Sequence, residues 1–301
     1  MGQEKSKKEI KSAEAESGVF PPLLREIPGV PPRIYFLGNL PDENIFCVAI
    51  VGTRKATQAG KILAKKMAAE LAKRGILIVS GLAMGIDSAA HEGALSVNGK
   101  TIAVLACGLD IIYPAQNEYL ARKILDQGGG IISEYPQGTP PYPNQFLARN
   151  RIISGLCRAT IVIEAPIESG SLVTARMAAD QGRDVFVFPG PIDHPNYRGS
   201  HKLIRDGAVL VASIEDIIES LEIENEEQGL KWNLSSGKLP FGSFGTKEEE
   251  LIFNAIKNTG SALSVDKIIE ITRLEPQVVN RSLAYLAINN IIKETERGYA
   301  V

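Results

Sequence analysis

Seven short apolar segments, separated by helical and loop sequence, constrain the fold of this chain more than any other feature. Each is mostly apolar and does not alternate with polar residues, which is typical of strands that are buried on both faces of a parallel sheet. Strand–helix repeats of this kind connect through right-handed crossovers. The sequence therefore predicts an α/β fold with an extended Rossmann-like, doubly wound parallel sheet. The predicted strands are Phe46–Val51, Ile76–Val79, Thr101–Ala106, Ile131–Ser133, Ala159–Glu164, Asp184–Phe188 and Ala208–Val211.

Two other segments have sequence that is unsuited to a packed core. Residues 1–18 are charged and poor in apolar side chains, which predicts disorder. Residues 222–245 combine glutamates with serines and glycines, as flexible acidic linkers do. The Rossmann-like domain is therefore expected to span residues 19–221.

The last part of the chain, residues 246–301, predicts three helices followed by a hairpin. Ser264 is placed to cap the second helix, and Pro276 to begin the third. This order is typical of a small winged-helix domain. A helical packing or oligomerisation module is the alternative, because the third helix offers few side chains for reading bases. Those side chains are Gln277, Asn280 and Arg281.

Charge and cysteine content restrict the class of protein. The chain has 33 Lys and Arg against 35 Asp and Glu, for a formal net charge of −2. Any nucleic-acid site must therefore concentrate positive charge locally. The three cysteines lie far apart in apolar segments, as reduced core residues of a cytoplasmic protein do. The sequence contains neither an apolar run of membrane-spanning length nor a signal-peptide pattern.

Turns of small residues follow three of the predicted strands. A turn between a strand and a helix exposes backbone N–H groups at the positive end of the helix dipole, where phosphates bind. Three such turns with an arginine among them predict a ligand that is rich in phosphate. They contribute Gly52, Thr53 and Arg54, then Gly81 with its neighbours, and finally Ser169, Gly170 and Ser171.

An aromatic residue lies close to two arginines where a loop enters a predicted helix. Phe146 is placed to stack on a base, while Arg149 and Arg151 are placed to face phosphates. Stacking combined with backbone charge is how proteins bind single strands without sequence preference. The alternative is that Phe146 belongs to the core and that an arginine holds Glu164 or another buried carboxylate.

A second basic segment follows the rigid, proline-containing loop after the sixth predicted strand. Arg198 and Lys202 lie four residues apart there. Together with the N–H groups of the turn, they are placed to take a further phosphate.

The signatures of common enzymes and cofactor sites are missing from the sequence. The first strand is not followed by a dinucleotide-binding glycine motif, and no P-loop, zinc-protease motif or nucleophile elbow occurs. The three histidines, His91, His194 and His201, are scattered, which argues against a metal site. We therefore expect a binding protein that has no cofactor, no metal and no catalytic residues.

All of these motifs occur in order in one known family. Over residues 20–221 the chain resembles the DNA-processing protein A (DprA/Smf) family of bacteria. The blocks that carry the resemblance are Val51–Arg54, Ser80–His91, Gly108–Pro114, Phe146–Ser154, Ser169–Ala175, Gly182–Gly190 and Gly199–Ala208.

The resemblance implies a function and a set of partners. Members of this family bind single-stranded DNA on the Rossmann-like domain and protect incoming strands during natural transformation. They load the recombinase RecA against single-strand binding protein, act as homodimers and have no established catalytic activity. Many begin with a sterile-alpha-motif-like domain, for which residues 1–18 are too short and too charged. The resemblance assigns DNA contact to Arg54, Phe146, Arg149, Arg151, Ser169–Ser171 and Lys202.

A nucleotide-processing enzyme is the alternative from another class. The sheet and turns also resemble the lysine-decarboxylase-like phosphoribohydrolases, which cleave nucleoside monophosphates. That group carries a Pro-Gly-Gly-x-Gly-Thr turn, and the corresponding segment here, Glu164–Ser171, lacks it. A nucleotide sensor would use the same turns but would not need Phe146.

Overall fold

The computed structural model describes residues 9–221, 247–259, 262–288, 292–295 and 298–300. The chain divides into two compact units, Met1–Leu230 and Lys231–Val301. The first contains the predicted Rossmann-like domain and the second contains the predicted winged helix. The predicted linker, residues 222–245, lies outside the described residues.

The strands of the first unit form one mixed sheet. The strands are β1 (Lys11–Glu14), β2 (Arg33–Gly38), β3 (Cys47–Gly52), β4 (Leu77–Ser80), β5 (Thr101–Val104), β6 (Gly130–Ser133), β7 (Ala159–Ile163), β8 (Asp184–Val187) and β9 (Val209–Leu210). Across the sheet they lie in the order β1-β2-β6-β5-β4-β3-β7-β8-β9. The pairs β1–β2 and β2–β6 are antiparallel, and all the other neighbouring pairs are parallel.

Helices connect the parallel strands and cover both faces of the sheet. Within the described ranges, none is long and apolar enough to cross a membrane. The helices are α1 (Pro22–Arg25), α2 (Gln58–Lys73), α3 (Ile86–Ser96), α4 (Glu118–Asp126), α5 (Pro143–Gly155), α6 (Gly170–Asp180), α7 (Arg198–Arg205) and α8 (Ile214–Ser220). The predicted α/β fold and its mostly parallel sheet are confirmed.

The winding of the sheet reverses between β3 and β7. From β3 the chain builds β4, β5 and β6 on one side, and it then returns to pair β7 with the other side of β3. In such sheets ligands bind beyond the carboxyl ends of the strands at the point of reversal. The residues that follow β3 and β7 therefore lie where a ligand is expected.

Continuous apolar strands are needed because both faces of the sheet are buried. Along β3, Val48 and Ile50 pack toward α2 and α3, while Ala49 and Val51 pack toward α5 and α6. Successive side chains of a strand point to opposite faces, so burial of both faces favours apolar residues at consecutive positions of β3. This geometry explains why the sequence shows runs rather than alternation.

The predicted disorder of residues 1–18 is wrong for the described part of that segment. Lys11–Glu14 form β1, which pairs antiparallel with β2 at one edge of the sheet. Ala13 is buried, and the exposed Glu14 carboxylate pairs with Arg33 at 2.5 Å. Backbone pairing with an existing edge strand orders a charged segment that has too few apolar residues to fold alone. Residues 1–8 lie outside the described residues.

A proline-containing segment after β1 closes one face of the sheet. Phe20, Leu24 and Ile27 are buried in the core on the α5 side. Arg183 fastens this segment by donating to the carbonyl oxygen of Leu23 at 3.1 Å and to the carboxylate of Glu26 at 2.9 Å. The sequence between β1 and β2 is therefore part of the Rossmann-like core.

The second unit contains three helices, α9 (Lys247–Thr259), α10 (Val265–Thr272) and α11 (Pro276–Ile288). They precede a two-stranded hairpin of β10 (Lys293–Thr295) and β11 (Gly298–Ala300). The Ser264 hydroxyl caps α10 by accepting from the N–H of Lys267. These elements match the predicted order, and the winged-helix assignment itself stays a prediction.

Replacing Phe20 by Ala should test the role of the proline-containing segment between β1 and β2. Phe20 is 1% exposed, so the variant is expected to lose about 3–5 kcal/mol of the free energy of unfolding. The matched control is Val19→Ala, since Val19 is 63% exposed and should change stability by less than about 0.5 kcal/mol. Urea titration followed by circular dichroism measures both. Equal stabilities would show that the segment is not part of the core.

Candidate nucleic-acid interface

The turn after β3 is fixed by its neighbours on both sides. A side chain at Gly52 would collide with the carbonyl oxygen of Ile163 and with Ile86. The N–H of Thr53 donates to the carbonyl oxygen of Glu164 at 2.8 Å. Gly52 and Thr53 therefore belong to the scaffold, and Arg54 is the exposed residue of the three.

The turn after β4 is closed by a carboxylate of its own. Asp87 is buried at the start of α3 and accepts from the N–H groups of Gly81, at 3.1 Å, and of Ala83, at 3.4 Å. Burial raises the pKa of the Asp87 carboxyl, against the lowering effect of Arg149. The predicted phosphate site at Gly81 is therefore filled internally, because an acidic residue in the first helical turn takes the free N–H groups.

Arg149 lies below the surface and not on it. Arg149 is only 4% exposed. Its Nη1 donates to the carbonyl oxygen of Gly81, at 2.8 Å, and to that of Val104. Burial lowers the pKa of Arg149 to about 10, so the guanidinium stays charged at neutral pH. The sequence predicts that Arg149 faces a phosphate, but in the structure its guanidinium donates to carbonyl oxygens at the ends of β4 and β5. Its part in binding stays a prediction.

Arg151 is also engaged with the protein. Its guanidinium forms two hydrogen bonds to the Glu134 carboxylate, at 2.8 and 2.6 Å, and Nε donates to the carbonyl oxygen of Gly29 at 2.9 Å. The arginine thus ties α5 to the end of β6 and to the segment before β2. The alternative that an arginine holds a carboxylate of the protein describes Arg151 better than phosphate contact does, although the carboxylate is the partly buried Glu134 and not Glu164.

The exposed Arg54, in the turn after β3, lies over the ring of Phe146. The Arg54 guanidinium lies 5.2 Å from the centre of the half-buried Phe146 ring, within cation–π range. Arg149 lies 5.9 Å from the same ring, and the ring of Tyr113 lies 5.5 Å away, tilted by 58°. The arginines at the ring are therefore Arg54 and Arg149, whereas the sequence pairs Phe146 with Arg149 and Arg151. Tyr113 is an aromatic neighbour that sequence reasoning missed.

The turn before α6 is open to solvent. The Ser169 hydroxyl caps the helix by accepting from the N–H of Ser171 at 3.3 Å, and the two serine hydroxyls lie 2.7 Å apart. A Cβ atom at Gly170 would meet no atom within 4 Å. The first turn of α6 carries no acidic residue, so its positive end is not neutralised from within.

The structure places α7 against the loop that precedes α6. A side chain at Gly199 would collide with the carbonyl oxygens of Ala165 and Pro166, and the buried Ser200 hydroxyl accepts from the N–H of Ala165 at 3.1 Å. This close packing leaves Arg198 and Lys202 exposed, one turn apart. The predicted basic segment is therefore anchored beside the Ser169 turn.

Asn150 links α5 to the turn before α6. Its Nδ2 donates to the carbonyl oxygen of Gly170 at 3.3 Å, so α5, which carries Phe146, is tied to the start of α6. The sequence predicts small-residue turns after β3, β4 and β7, and the structure brings Phe146 and α7 to the same edge of the sheet as these turns.

Glu164 connects the loops of this edge. The side chain is buried, and its carboxylate accepts from the N–H of Thr57 at 2.8 Å, from the Thr57 hydroxyl, from Asn196 Nδ2 at 3.1 Å and from the Tyr197 hydroxyl at 3.1 Å. Its backbone φ is +53°, which is uncommon for a residue with a side chain. The alternative that Arg149 or Arg151 holds Glu164 does not describe this residue, since its carboxylate is bonded to Thr57, Asn196 and Tyr197. The available signal was one acidic residue that ends an apolar strand.

The protonation of this cluster follows from its hydrogen bonds. Burial favours a raised pKa for Glu164, but the bonds from Thr57, Asn196 and Tyr197 outweigh it, and the pKa lies below its ordinary value. Burial and the adjacent carboxylate raise the pKa of Tyr197 to about 12. At neutral pH the carboxylate is therefore ionised and the tyrosine hydroxyl is a donor.

A family model for DNA recombination-mediator protein A matches residues 12–222, which is most of the chain. The chain belongs to this family. Curated members include protein Smf of Escherichia coli, which is 42% identical over 258 residues that make up 85% of this chain and 68% of the relative. DNA processing protein DprA of Streptococcus pneumoniae is 43% identical over 203 residues, 67% of this chain and 71% of the relative. A Smf protein of a Synechocystis strain is matched over only 57% of its length.

Solved structures of the family share the fold. DprA from S. pneumoniae superimposes with a TM-score of 0.67 at 42% identity, covering 72% of this chain and 75% of the other. DprA from Helicobacter pylori, whose structure concerns its single-stranded DNA binding mode, gives a TM-score of 0.63 at 34% identity. That match covers 72% of this chain and 98% of the other.

Changing Glu164 should separate its hydrogen bonds from its charge. Glu164→Ala leaves buried donors without acceptors, at a cost of about 1–3 kcal/mol for each. Glu164→Gln retains an acceptor for Thr57 and Asn196, and its amide donates to the two hydroxyls, so we expect a smaller loss at pH 7. Because the folded pKa lies below the ordinary 4.5, the ionised carboxylate contributes stability above that pH and loses it as the pH falls. The difference between wild type and Glu164→Gln should therefore shrink on acidification.

Urea unfolding at pH 7 and at successively lower pH measures these differences. Glu168→Gln is the control, since Glu168 is exposed in the following loop and its charge should not matter. A difference between wild type and Glu164→Gln that stays constant over the whole pH range would contradict the assignment.

Proposed function

We propose that this protein binds single-stranded DNA at the carboxyl edge of its sheet and acts as a recombination mediator. The residues that carry the site are Arg54, Phe146, Ser169–Ser171, Arg198 and Lys202, which we call the binding face. The central observation is the exposed Arg54 stacked on Phe146. It combines a phosphate-binding cation with an aromatic ring at the point where the sheet reverses.

The charges of the binding face are available to a ligand. Across the part of the chain that the structure describes, no carboxylate forms an ion pair with Arg54, Arg198 or Lys202. The open turn at Gly170 adds the positive end of α6. Positive charge is thus concentrated at one edge of a protein whose net charge is −2. A polyanion is attracted there without a basic protein overall.

An aromatic ring beside free cations favours a single strand over a duplex. Unpaired bases present their faces to aromatic side chains, whereas bases in a duplex are stacked on one another. The H. pylori relative is described as a single-stranded DNA binder. Family membership and geometry therefore support the same ligand.

The cellular role that we propose is that of the family. The protein would act in the cytoplasm as a homodimer, protect incoming strands during natural transformation and load RecA where single-strand binding protein competes. It would do so without catalysis. Arg149 and Arg151 would support the site from below, with Gly52, Thr53 and Gly81 shaping the turns around it.

We also propose the domain layout of the sequence analysis for the parts beyond the sheet. The order of α9, α10, α11 and the hairpin supports a winged helix at residues 246–301, joined by a linker at residues 222–245. The main DNA site would remain on the first unit, because the binding face lies wholly within it.

The phosphoribohydrolase alternative has less support. Such an enzyme needs a carboxylate that its substrate can reach, and Glu164 is buried with its oxygens occupied by Thr57, Asn196 and Tyr197. Turnover of nucleoside monophosphates, measured by release of the free base, would revive this alternative.

Arg54→Ala should weaken binding of a fluorescent oligo-dT strand by about 10- to 150-fold, which corresponds to about 1.5–3 kcal/mol for a charge-assisted hydrogen bond. Fluorescence anisotropy measures the affinity, and the matching duplex should bind more weakly than the single strand. The melting temperature should not change, because Arg54 is exposed. Arg122→Ala is the control, since Arg122 is an exposed arginine that pairs with Glu118 on α4.

A salt series identifies the phosphate contact. The logarithm of the affinity should fall linearly with the logarithm of salt, by about 0.7 per phosphate contact, and Arg54→Ala should lower the slope by about that amount. No binding at low salt would refute the proposed function. An unfolded Arg54→Ala variant would instead make the residue structural.

Gly170→Ala should impair binding without loss of stability. Nothing lies near the added methyl group in the free protein, and Ala favours the helix over Gly, so the melting temperature should stay equal or rise. A phosphate held against the turn would meet that methyl group, and we expect at least a tenfold lower affinity for oligo-dT. Ser96→Ala is the control, since Ser96 ends α3 and lies away from the binding face. Gly128→Ala is unsuitable because the φ of Gly128 is +77°. Unchanged affinity would place the phosphate elsewhere.

A further inference from the structure

We propose that Tyr113 is a further base-stacking residue of the binding face and contributes to its preference for single strands. The proposal rests on the proposed function, since it adds a nucleobase contact to the same site. The ligand is the face of one unpaired base, adjacent to the base or cation on Phe146.

The surroundings of Phe146 leave little of its ring open. Two guanidinium groups, those of Arg54 and Arg149, lie within 6 Å of its centre, and the ring is half-buried. A base reaches this ring only where Arg54 moves aside, for example toward a phosphate. Phe146 alone therefore offers a restricted stacking surface.

Tyr113 presents an aromatic surface in the same place. The residue is 44% exposed, although its ring contacts Phe146 at 5.5 Å. A tyrosine of this size exposes apolar area that costs free energy in water and that a base would cover. Within the described residues, no cation is stacked on Tyr113 as one is on Phe146.

The loop that carries Tyr113 is held at several points. The N–H of Gly108 donates to the carbonyl oxygen of Thr139 at 2.9 Å, and the Asp110 carboxylate accepts from the N–H of Gly138 at 2.9 Å. After Tyr113, the buried Asn117 donates through Nδ2 to the carbonyl oxygen of Leu82 at 2.7 Å. A ring on a fixed loop loses less conformational entropy when it binds a base.

The angle between the two rings selects the form of DNA. Bases that are stacked in a duplex lie parallel to one another, whereas the Tyr113 and Phe146 rings are inclined by 58°. Two bases that stack on both rings must therefore be splayed apart, which a flexible single strand allows and a duplex resists. The ring pair thus adds discrimination that phosphate contacts cannot supply, because both forms of DNA carry phosphates.

The test compares two ligands with the same phosphates, an oligo-dT strand and an abasic strand of equal length. Fluorescence anisotropy is measured for wild type, Tyr113→Leu, Tyr113→Phe and Tyr119→Leu. Tyr113→Leu should bind oligo-dT about 5- to 150-fold more weakly, the range expected for one stacked base. Its affinity for the abasic strand should equal that of wild type. Tyr113→Phe should retain binding, because it keeps the aromatic face.

Tyr119→Leu is the matched control. Tyr119 is 69% exposed on α4, and its ring contacts Lys123 and no residue of the binding face among the described contacts. An equal loss in Tyr119→Leu, or a Tyr113→Leu variant that binds oligo-dT as wild type does, would overturn the proposal. An equal loss for oligo-dT and for the abasic strand would show that Tyr113 acts only by shaping the loop. A wild type that binds neither strand would instead refute the proposed function.

Discussion

The carboxylate of Glu164 is the interaction on which the candidate site depends. It ends the strand at which the sheet reverses, and its acceptors satisfy donors from Thr57, before α2, and from Asn196 and Tyr197, before α7. Its own carbonyl oxygen holds the turn that carries Arg54. One buried negative charge thus fixes the loops that present the positive ones. Burying it is tolerable only because its oxygens are hydrogen bonded.

A second buried charge organises the other half of the edge. Arg149 is held by the ends of β4 and β5, and Asp87 lies close enough to raise its pKa against burial. Both residues work below the surface, and Phe146 lies on top of the guanidinium. This edge of the sheet therefore has two layers of charge. The buried charges of Glu164 and Arg149 hold the loops in position, and the exposed cations of the binding face are free to bind a ligand.

Much of this arrangement is readable from the sequence because parallel strands must end together. Apolar runs predict the sheet, and small residues after them predict the turns, so Arg54 and Gly170 could be placed at one edge. The sequence does not show that α7 brings Lys202 beside them. What could not be read is which N–H groups are already occupied: Asp87 fills the Gly81 turn only through the geometry of α3. Likewise, β1 owes its order to pairing with β2, which no local pattern in a charged segment reveals.

Gly81 and Arg149 illustrate how closely these layers are matched. A Cβ atom at position 81 would lie 2.5 Å from the Arg149 guanidinium, and that group cannot withdraw while two carbonyl oxygens hold it. The two positions, 68 residues apart in the chain, therefore depend on each other. A side chain at position 81 could be accommodated only if the Arg149 guanidinium left the carbonyl oxygens of Gly81 and Val104. The ends of β4 and β5 would then lose the cation that joins them beneath Phe146.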